Sequence, residues 1–170
     1  MAVSAYEVIS ATTVGTAAQT VTLSGIPQTY TDLVVVVNAQ ASAQSDLYVS
    51  FNGDSTANYS RTTLYGEGAT PGSTRITRAD GYLFMILTYY GNVTTVAGVS
   101  NHIINIMNYA NTTTNKTVLA RCNAAASGVD ATVGMWNSTA AISSMTFDLP
   151  STRTFSTGST FTLYGIKAAA

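Results

Sequence analysis

Charged side chains are scarce in this sequence. Of its 170 residues, 9% are Asp, Glu, Lys or Arg, whereas typical soluble domains contain about 25%. The formal net charge is -1, and the seven basic residues are scattered along the chain. Nucleic-acid binding needs a basic stripe that neutralises phosphates, and the sequence shows none. With so little charge, repulsion does little to keep copies apart, which suits a protein packed against neighbours.

The residue types that carry catalysis and metal binding are equally few. The chain has one histidine, His102, and one cysteine, Cys122, so no intrachain disulfide can form. Metal-ligand clusters and phosphate-cradling glycine loops do not occur in the sequence. Eight carboxylates leave a glycosidase pair formally open, although no spacing nominates one. We therefore expect no enzymatic activity, no catalytic or metal site and no cofactor.

Long apolar segments are also missing from the sequence. The most apolar run, YLFMIL at 82–87, is far shorter than the roughly 20 residues that span a bilayer. A secretory signal has a basic start followed by a long apolar stretch, and the N-terminal MAVSAYEVIS has neither. We therefore expect neither membrane association nor secretion.

Short β-type runs separated by turn residues dominate the chain, a pattern typical of an all-β sandwich. Alanine-rich pieces at 123–127 and 167–170 are too short to form stable helices. Many short strands need two facing sheets to cover their apolar sides, so we predict a single jelly-roll-type antiparallel β-sandwich over residues 1–170. Residues 1–6 and 167–170 are predicted to be terminal arms. The predicted strands are 7–10, 19–24, 32–40, 46–52, 58–66, 81–90, 102–110, 117–124, 131–137, 143–149 and 160–166.

Three segments support more specific predictions. VVVV at 34–37 is β-branched and apolar on both faces, so we place it in the centre of a sheet, away from an edge that would invite further pairing. Alternation over 117–124 puts Cys122 on the buried side, where a free cysteine behaves as a small hydrophobe. The segment 66–81 is predicted to be a long loop, and long loops on a rigid sandwich are common binding sites.

The stretch FNGDSTANYS, residues 51–60, raises the question of a metal-binding loop. A calcium loop needs acidic oxygens at alternating positions, but no second carboxylate follows Asp54. Asn52-Gly53 is instead a strong signal for a tight turn with positive φ at both central residues. We therefore predict a hairpin turn here.

Aromatic residues mark a candidate interface. The run GYLFMILTYY at 81–90 is apolar or aromatic on both faces. It is either a strand in the middle of the sandwich or a subunit contact, where Tyr is enriched. Terminal residues of small domains are usually ordered only when they contact another part of the structure or a partner. The N-terminal residues are therefore further candidates for the interface. The candidate interface residues are Met1, Ala2, Val3, Tyr82, Phe84, Tyr89 and Tyr90.

Several segments, in order along the chain, resemble virion proteins of tailed bacteriophages. The resemblance is to head decoration (cement) proteins and related fibre or appendage domains of jelly-roll type. It runs from about Gly25 to Lys167 and includes the motifs FNGD, NYAN and a terminal LYGI. The segments are IPQTYTDLVVVV, LYVSFNGDSTANYSRTTLYGEG, HIINIMNYANTTTNKTVLARC, GMWNSTAAISSMTFDLP and GSTFTLYGIK.

The resemblance implies a structural role without catalytic residues or a cofactor. A decoration protein binds the outside of the assembled capsid, contacts the major capsid protein and bridges capsomers, usually as a homotrimer. The location would then be the virion surface, after synthesis in the host cytoplasm. The alternative is a tail-fibre or vertex-appendage domain that binds host-surface glycan, through the segment 66–81 or near Tyr89 and Tyr90.

Overall fold

The computed structural model describes residues 5–67, 69–85, 93–95, 100–124 and 128–167, with the backbone alone at 67, 79, 84, 85 and 124. Twelve strands and no helix occur within these residues. The strands are β1 (Tyr6–Thr13), β2 (Thr20–Ser24), β3 (Asp32–Asn38), β4 (Leu47–Phe51), β5 (Tyr59–Glu67), β6 (Thr70–Asp80), β7 (Leu83–Met85), β8 (Ser100–Met107), β9 (Lys116–Ala124), β10 (Gly128–Trp136), β11 (Ser144–Asp148) and β12 (Thr160–Ile166).

The strands form two antiparallel sheets that enclose one core. The larger sheet has eight strands in the order β1-β12-β3-β8-β9-β10-β5-β6, and the smaller has four in the order β2-β11-β4-β7. Four of the strand pairs are nested: β1 with β12, β2 with β11, β3 with β8, and β4 with β7. In this pattern the first strand pairs with the last and later strands pair progressively inward, which is the double Greek-key arrangement of a jelly roll. The predicted jelly-roll-type sandwich is therefore confirmed.

Two hairpins extend the larger sheet beyond the jelly-roll strands. β9 and β10 pair with each other, and β10 also pairs with β5, which in turn pairs with β6. The segment 66–81, predicted as a long loop, is therefore largely strand β6 at the edge of the sheet. Its Pro71 is tolerated because the outer side of an edge strand needs no ladder hydrogen bond. At Gly72 a Cβ atom would lie 2.4 Å from the Tyr65 ring, so the ring packs directly over the glycine and would have to shift if this position carried a side chain.

The central position of the valine run is confirmed. β3 lies between β12 and β8, and Val35 and Val37 are fully buried. Alternation along β9 also holds, because Val118, Ala120 and Cys122 point into the core. The core between the sheets is completed by aromatic clusters, one of which is Phe51, Tyr59 and Trp136 and another Phe147, Phe155 and Phe161.

The tight turn at Asn52-Gly53 is confirmed, but its assignment to a hairpin is wrong. Both residues have positive φ, 52° and 69°, and the Asp54 amide donates to the Phe51 carbonyl at 2.9 Å. However, β4 belongs to the four-stranded sheet and β5 to the eight-stranded one. The turn is therefore a corner where the chain changes sheets, which local turn chemistry could not distinguish from a hairpin.

Asp54 holds this corner together. Its carboxylate accepts hydrogen bonds from the Thr56 amide at 2.9 Å, Asn58 Nδ2 at 3.0 Å and Trp136 Nε1 at 2.7 Å. Burial opposes ionisation, but the hydrogen bonds from Asn58, Thr56 and Trp136 outweigh it and lower the pKa of Asp54. All these partners are donors from the protein itself, so the carboxylate serves as a structural link between the two sheets.

The chain ends and the region after β6 refine two further predictions. Tyr6 is the first residue of β1 and pairs with Ile166, so the N-terminal arm ends before it. β7, which contains Phe84, pairs with β4 at the edge of the four-stranded sheet, whereas a central strand was one of the two predictions for 81–90. Residues 86–90 of that predicted strand lie outside the described part of the chain.

Candidate functional site

One side of the eight-stranded sheet faces away from the core, and we call it the apolar face. Antiparallel partners share a face, so the pairing register defines its rows. One row crosses six strands through Val8, Tyr164, Val34, Asn105, Leu119 and Val133. The next row includes Val36, Ile103, Arg121, Ala131 and Leu64. Apolar side chains thus run across the outside of the sheet.

The exposed apolar side chains of the described residues are concentrated on this face. Scattered exposed hydrophobic residues are normal on a soluble protein, whereas a contiguous patch marks an interaction site. Val8 is 61% exposed, Leu64 61% and Val129 55%. Among the residues that the structure describes, the seven exposed large hydrophobic side chains all belong to the apolar face: Tyr6, Val8, Leu64, Met107, Leu119, Val129 and Val133.

The opposite side of the sandwich is chemically different. The outward positions of β2 and β11 carry hydroxyl side chains that pair across the strands, such as Thr22 with Thr146 at 3.3 Å. Thr20 donates to Asp148 at 2.7 Å in the adjacent row. Hydroxyl and carboxylate groups are what a solvated sheet face presents. The contrast shows that the apolar face is not a consequence of the overall composition.

Charge on the apolar face is positive. Arg121, near the middle, and Arg75, near the β6 edge, are exposed, and neither makes an ion pair with a described residue. Asp32 lies at the margin, where its carboxylate accepts the Asn108 amide at 2.6 Å. Arginine combines an apolar stem with a planar donor group, and it is enriched at protein interfaces. The two free guanidinium groups are therefore available to a partner.

Two adjoining depressions shape the centre of this face. The larger has a volume of about 600 Å³ and is lined by residues that include Val34, Ile103 and Leu119. The smaller, about 270 Å³, lies beside Asn101 and Asn123. Both depressions share Ile103 and Arg121 in their walls. The apolar face thus offers a shallow concave surface with Arg121 between its two parts.

Most of the predicted interface residues fall outside the described residues or away from this face. Met1, Ala2, Val3, Tyr89 and Tyr90 lie outside the described part of the chain, as does the side chain of Phe84. Tyr82 is half-buried and stacks on Tyr48, with ring centroids 4.0 Å apart and planes 9° apart. Tyr48 belongs to the outer side of the four-stranded sheet, opposite the apolar face.

Sequence reasoning missed the apolar face, although a signal was present. In β9 and β10 the positions that alternate with buried residues include Leu119, Val129 and Val133, where a solvated sheet would carry polar residues. Each of them taken singly is unremarkable. Only the sheet order places these residues beside Val8 and Leu64 from distant parts of the chain.

A second cluster brings together residue types that the sequence analysis considered separately. His102, Cys122 and Asp130 occupy directly paired positions on β8, β9 and β10, and we call them the buried row. All three point into the sandwich, with exposures of 1%, 4% and 4%. The Cys122 thiol donates a hydrogen bond to Asp130 Oδ1. His102 is therefore a core residue, and Cys122 is buried as predicted but carries a polar partner.

The environment of the buried row favours a neutral carboxyl group. The pKa of Asp130 is raised to about 7, chiefly by burial. The hydrogen bond from Cys122 offsets part of this rise, and the charge of Asp46 adds to it. Its Oδ2 atom has no hydrogen-bond partner among the described residues. Cysteine, histidine and aspartate occur together in nucleophilic sites, but a nucleophile must reach its substrate. Here the side chains are enclosed between the sheets.

The buried row does not form a metal centre. Within the described part of the chain, no group of three or more His, Cys, Asp or Glu residues is arranged to hold a metal ion.

No helix long and apolar enough to cross a membrane occurs among the residues that the structure describes. Comparison with known proteins adds no assignment. No protein-family model matches the chain, and no curated protein matches it either. The candidate functional site therefore rests on the geometry of the apolar face.

Proposed function

We propose that this protein is a non-enzymatic structural component of a bacteriophage virion, a decoration protein that binds the assembled capsid as a homotrimer and bridges capsomers. The resemblance of its ordered segments to such proteins supports this function. The observation that carries it is that, within the described part of the chain, the seven exposed large hydrophobic side chains all lie on the apolar face. A surface of this kind is stabilised by burial against another protein.

The mechanism of attachment is burial of this face against the major capsid protein. A protein that binds only the assembled shell stabilises that state by mass action, because dissociation of the shell must also break the added contacts. The outward positions of β2 and β11, where Thr20 and Thr22 contact Asp148 and Thr146, lie on the opposite side of the sandwich and are left in contact with solvent. The enclosure of the buried row supports a role without catalysis.

The test is the copy number of this protein in purified virions, measured by quantitative mass spectrometry against the major capsid protein. We expect a number comparable to that of the capsid protein. A handful of copies per particle would instead favour the tail-fibre or vertex-appendage function, and binding of the isolated domain to host glycan would then be measured. Complete absence from virions would refute both.

A further inference from the structure

We propose that the occupant of the apolar face is a different protein chain, whose contact surface is apolar and carries a carboxylate opposite Arg121. This inference rests on the proposed function and names the chemistry of the partner. It excludes a second copy of this chain as the occupant of the apolar face, so the proposed homotrimer would form through other surfaces.

The size of the face is sufficient for a stable contact. Eight strands about 4.8 Å apart, each about eight residues long with a rise of about 3.3 Å per residue, give a face of roughly 34 by 26 Å. That is on the order of 900 Å², close to the roughly 800 Å² that each partner contributes to a standard protein interface. The apolar face can thus supply one complete side of an interface without help from other parts of the chain.

Charge on the face decides between a copy of this chain and another protein. Two copies that pack by the same face form a self-complementary contact, which brings both Arg121 side chains into one interface. Unpaired like charges that lose their water on association oppose binding. A partner with a carboxylate at this position would instead form a charge-assisted hydrogen bond to the guanidinium.

This chain has little to offer as its own acidic partner. The carboxylates with described side chains are already engaged or lie within the fold. Glu7 pairs with Lys167 and Asp80 with Arg61. Asp32, Asp54 and Asp148 accept hydrogen bonds from Asn108, Thr56 and Thr20, and Asp46 and Asp130 are partly or fully buried. Each described carboxylate is thus engaged or partly or fully buried, which favours another protein as the source of a matching carboxylate.

The experiment uses a phage from which the gene for this protein is deleted, with full-length variants supplied by the host. Copies per purified particle are counted for the wild type and for Arg121→Glu, Arg121→Gln, Arg121→Lys and Leu119→Asp. We expect Arg121→Glu and Leu119→Asp to lower the count more than tenfold. Arg121→Gln should lie between Arg121→Glu and the wild type, and Arg121→Lys within about threefold of the wild type.

Two controls separate attachment from folding and from self-association. Thr22→Glu, on the outer side of the four-stranded sheet, should leave the count unchanged. The sedimentation coefficient and thermal unfolding of each isolated variant are also measured, and both should match the wild type, since Leu119 and Arg121 are exposed.

Each remaining outcome overturns a defined statement. If Arg121→Glu and Leu119→Asp attach as well as the wild type, the inference fails and the proposed function stands. If these variants change the sedimentation coefficient of the isolated protein while it remains folded, the apolar face binds copies of this chain, and the inference also fails. If the wild type itself is absent from particles, the proposed function fails, and the inference with it.

Discussion

Asp130 should make the stability of this protein decrease as the pH rises from about 4 to about 7. Its carboxyl group is 4% exposed, and the pKa is raised from 3.8 to about 7, chiefly by burial. The folded protein therefore holds a proton that the unfolded chain releases between these two values. Because the folded state binds more protons in this range, the free energy of unfolding falls with increasing pH.

The size of the effect follows from the pKa difference. One pKa unit corresponds to about 1.4 kcal/mol, so a change from 3.8 to about 7 corresponds to about 4 kcal/mol. This stability is fully present below pH 3.8, is lost progressively as the pH rises through about 7, and changes no further above it. Carboxylates with a lowered pKa, such as Asp54, act in the opposite direction at more acidic pH.

Asp130→Asn isolates the contribution of this carboxyl group. The amide keeps an oxygen that can accept the Cys122 thiol but cannot ionise, while His102 and Asp46 are unchanged and their effects cancel in the comparison. Free energies of unfolding would be measured by urea titration at half-unit intervals between pH 4 and pH 8.5. We expect the variant to gain about 4 kcal/mol relative to the wild type across this range.

The control is Ala131→Ser, at an exposed position of β10 next to Asp130, which adds no ionisable group. Its pH profile should run parallel to that of the wild type. Parallel profiles for wild type and Asp130→Asn would refute the reasoning, since they would show that Asp130 titrates normally and is therefore solvated or paired in the folded protein.

Three further predictions concern the packing of the sandwich, and urea unfolding tests each. Lys116 is fully buried, and its Nζ donates to three backbone carbonyls at 2.6, 2.8 and 3.1 Å. Lys116→Met should therefore lower the free energy of unfolding by about 2–4 kcal/mol. An unchanged urea midpoint would contradict this. Trp136→Phe removes the hydrogen-bond donor to Asp54 and should lower the free energy of unfolding by about 2 kcal/mol. Trp136→Tyr serves as a second aromatic substitution at the same position. In Gly134→Ala the new Cβ would lie 2.8 Å from Leu83 Cδ2, so this substitution should lower the free energy of unfolding by about 1–3 kcal/mol. Ala131→Ser, at an exposed position, should leave it unchanged.

Features of the fold that depend on residues close together in the chain could be predicted from sequence. Alternation in β9 predicted that Cys122 is buried, and the β-branched run at 34–37 predicted a central strand. Asn52-Gly53 predicted positive φ at both residues. The segment 66–81 was wrongly predicted as a loop, because its glycines and proline are turn signals in isolation, whereas pairing with β5 makes it an edge strand.

The candidate site was the least predictable part. The seven exposed hydrophobic residues of the apolar face come from β1, β5, β8, β9 and β10, and no local pattern relates these strands. Aromatic enrichment drew attention instead to Tyr82, which stacks on Tyr48 on the other side of the sandwich. Composition identifies residue types that favour interfaces, but it carries no information about which of them share a surface.

The sequence by itself determined the all-β class, the buried side of β9 and the turn at Asn52-Gly53, because steric limits on the backbone and the two-residue period of the pleat act over a few residues. Tertiary structure alone decided the nested jelly-roll pairing, the alignment of His102, Cys122 and Asp130, and the apolar face. Those features depend on register between strands up to about 160 residues apart. Register is fixed by burial of the whole core at once, not by any single segment.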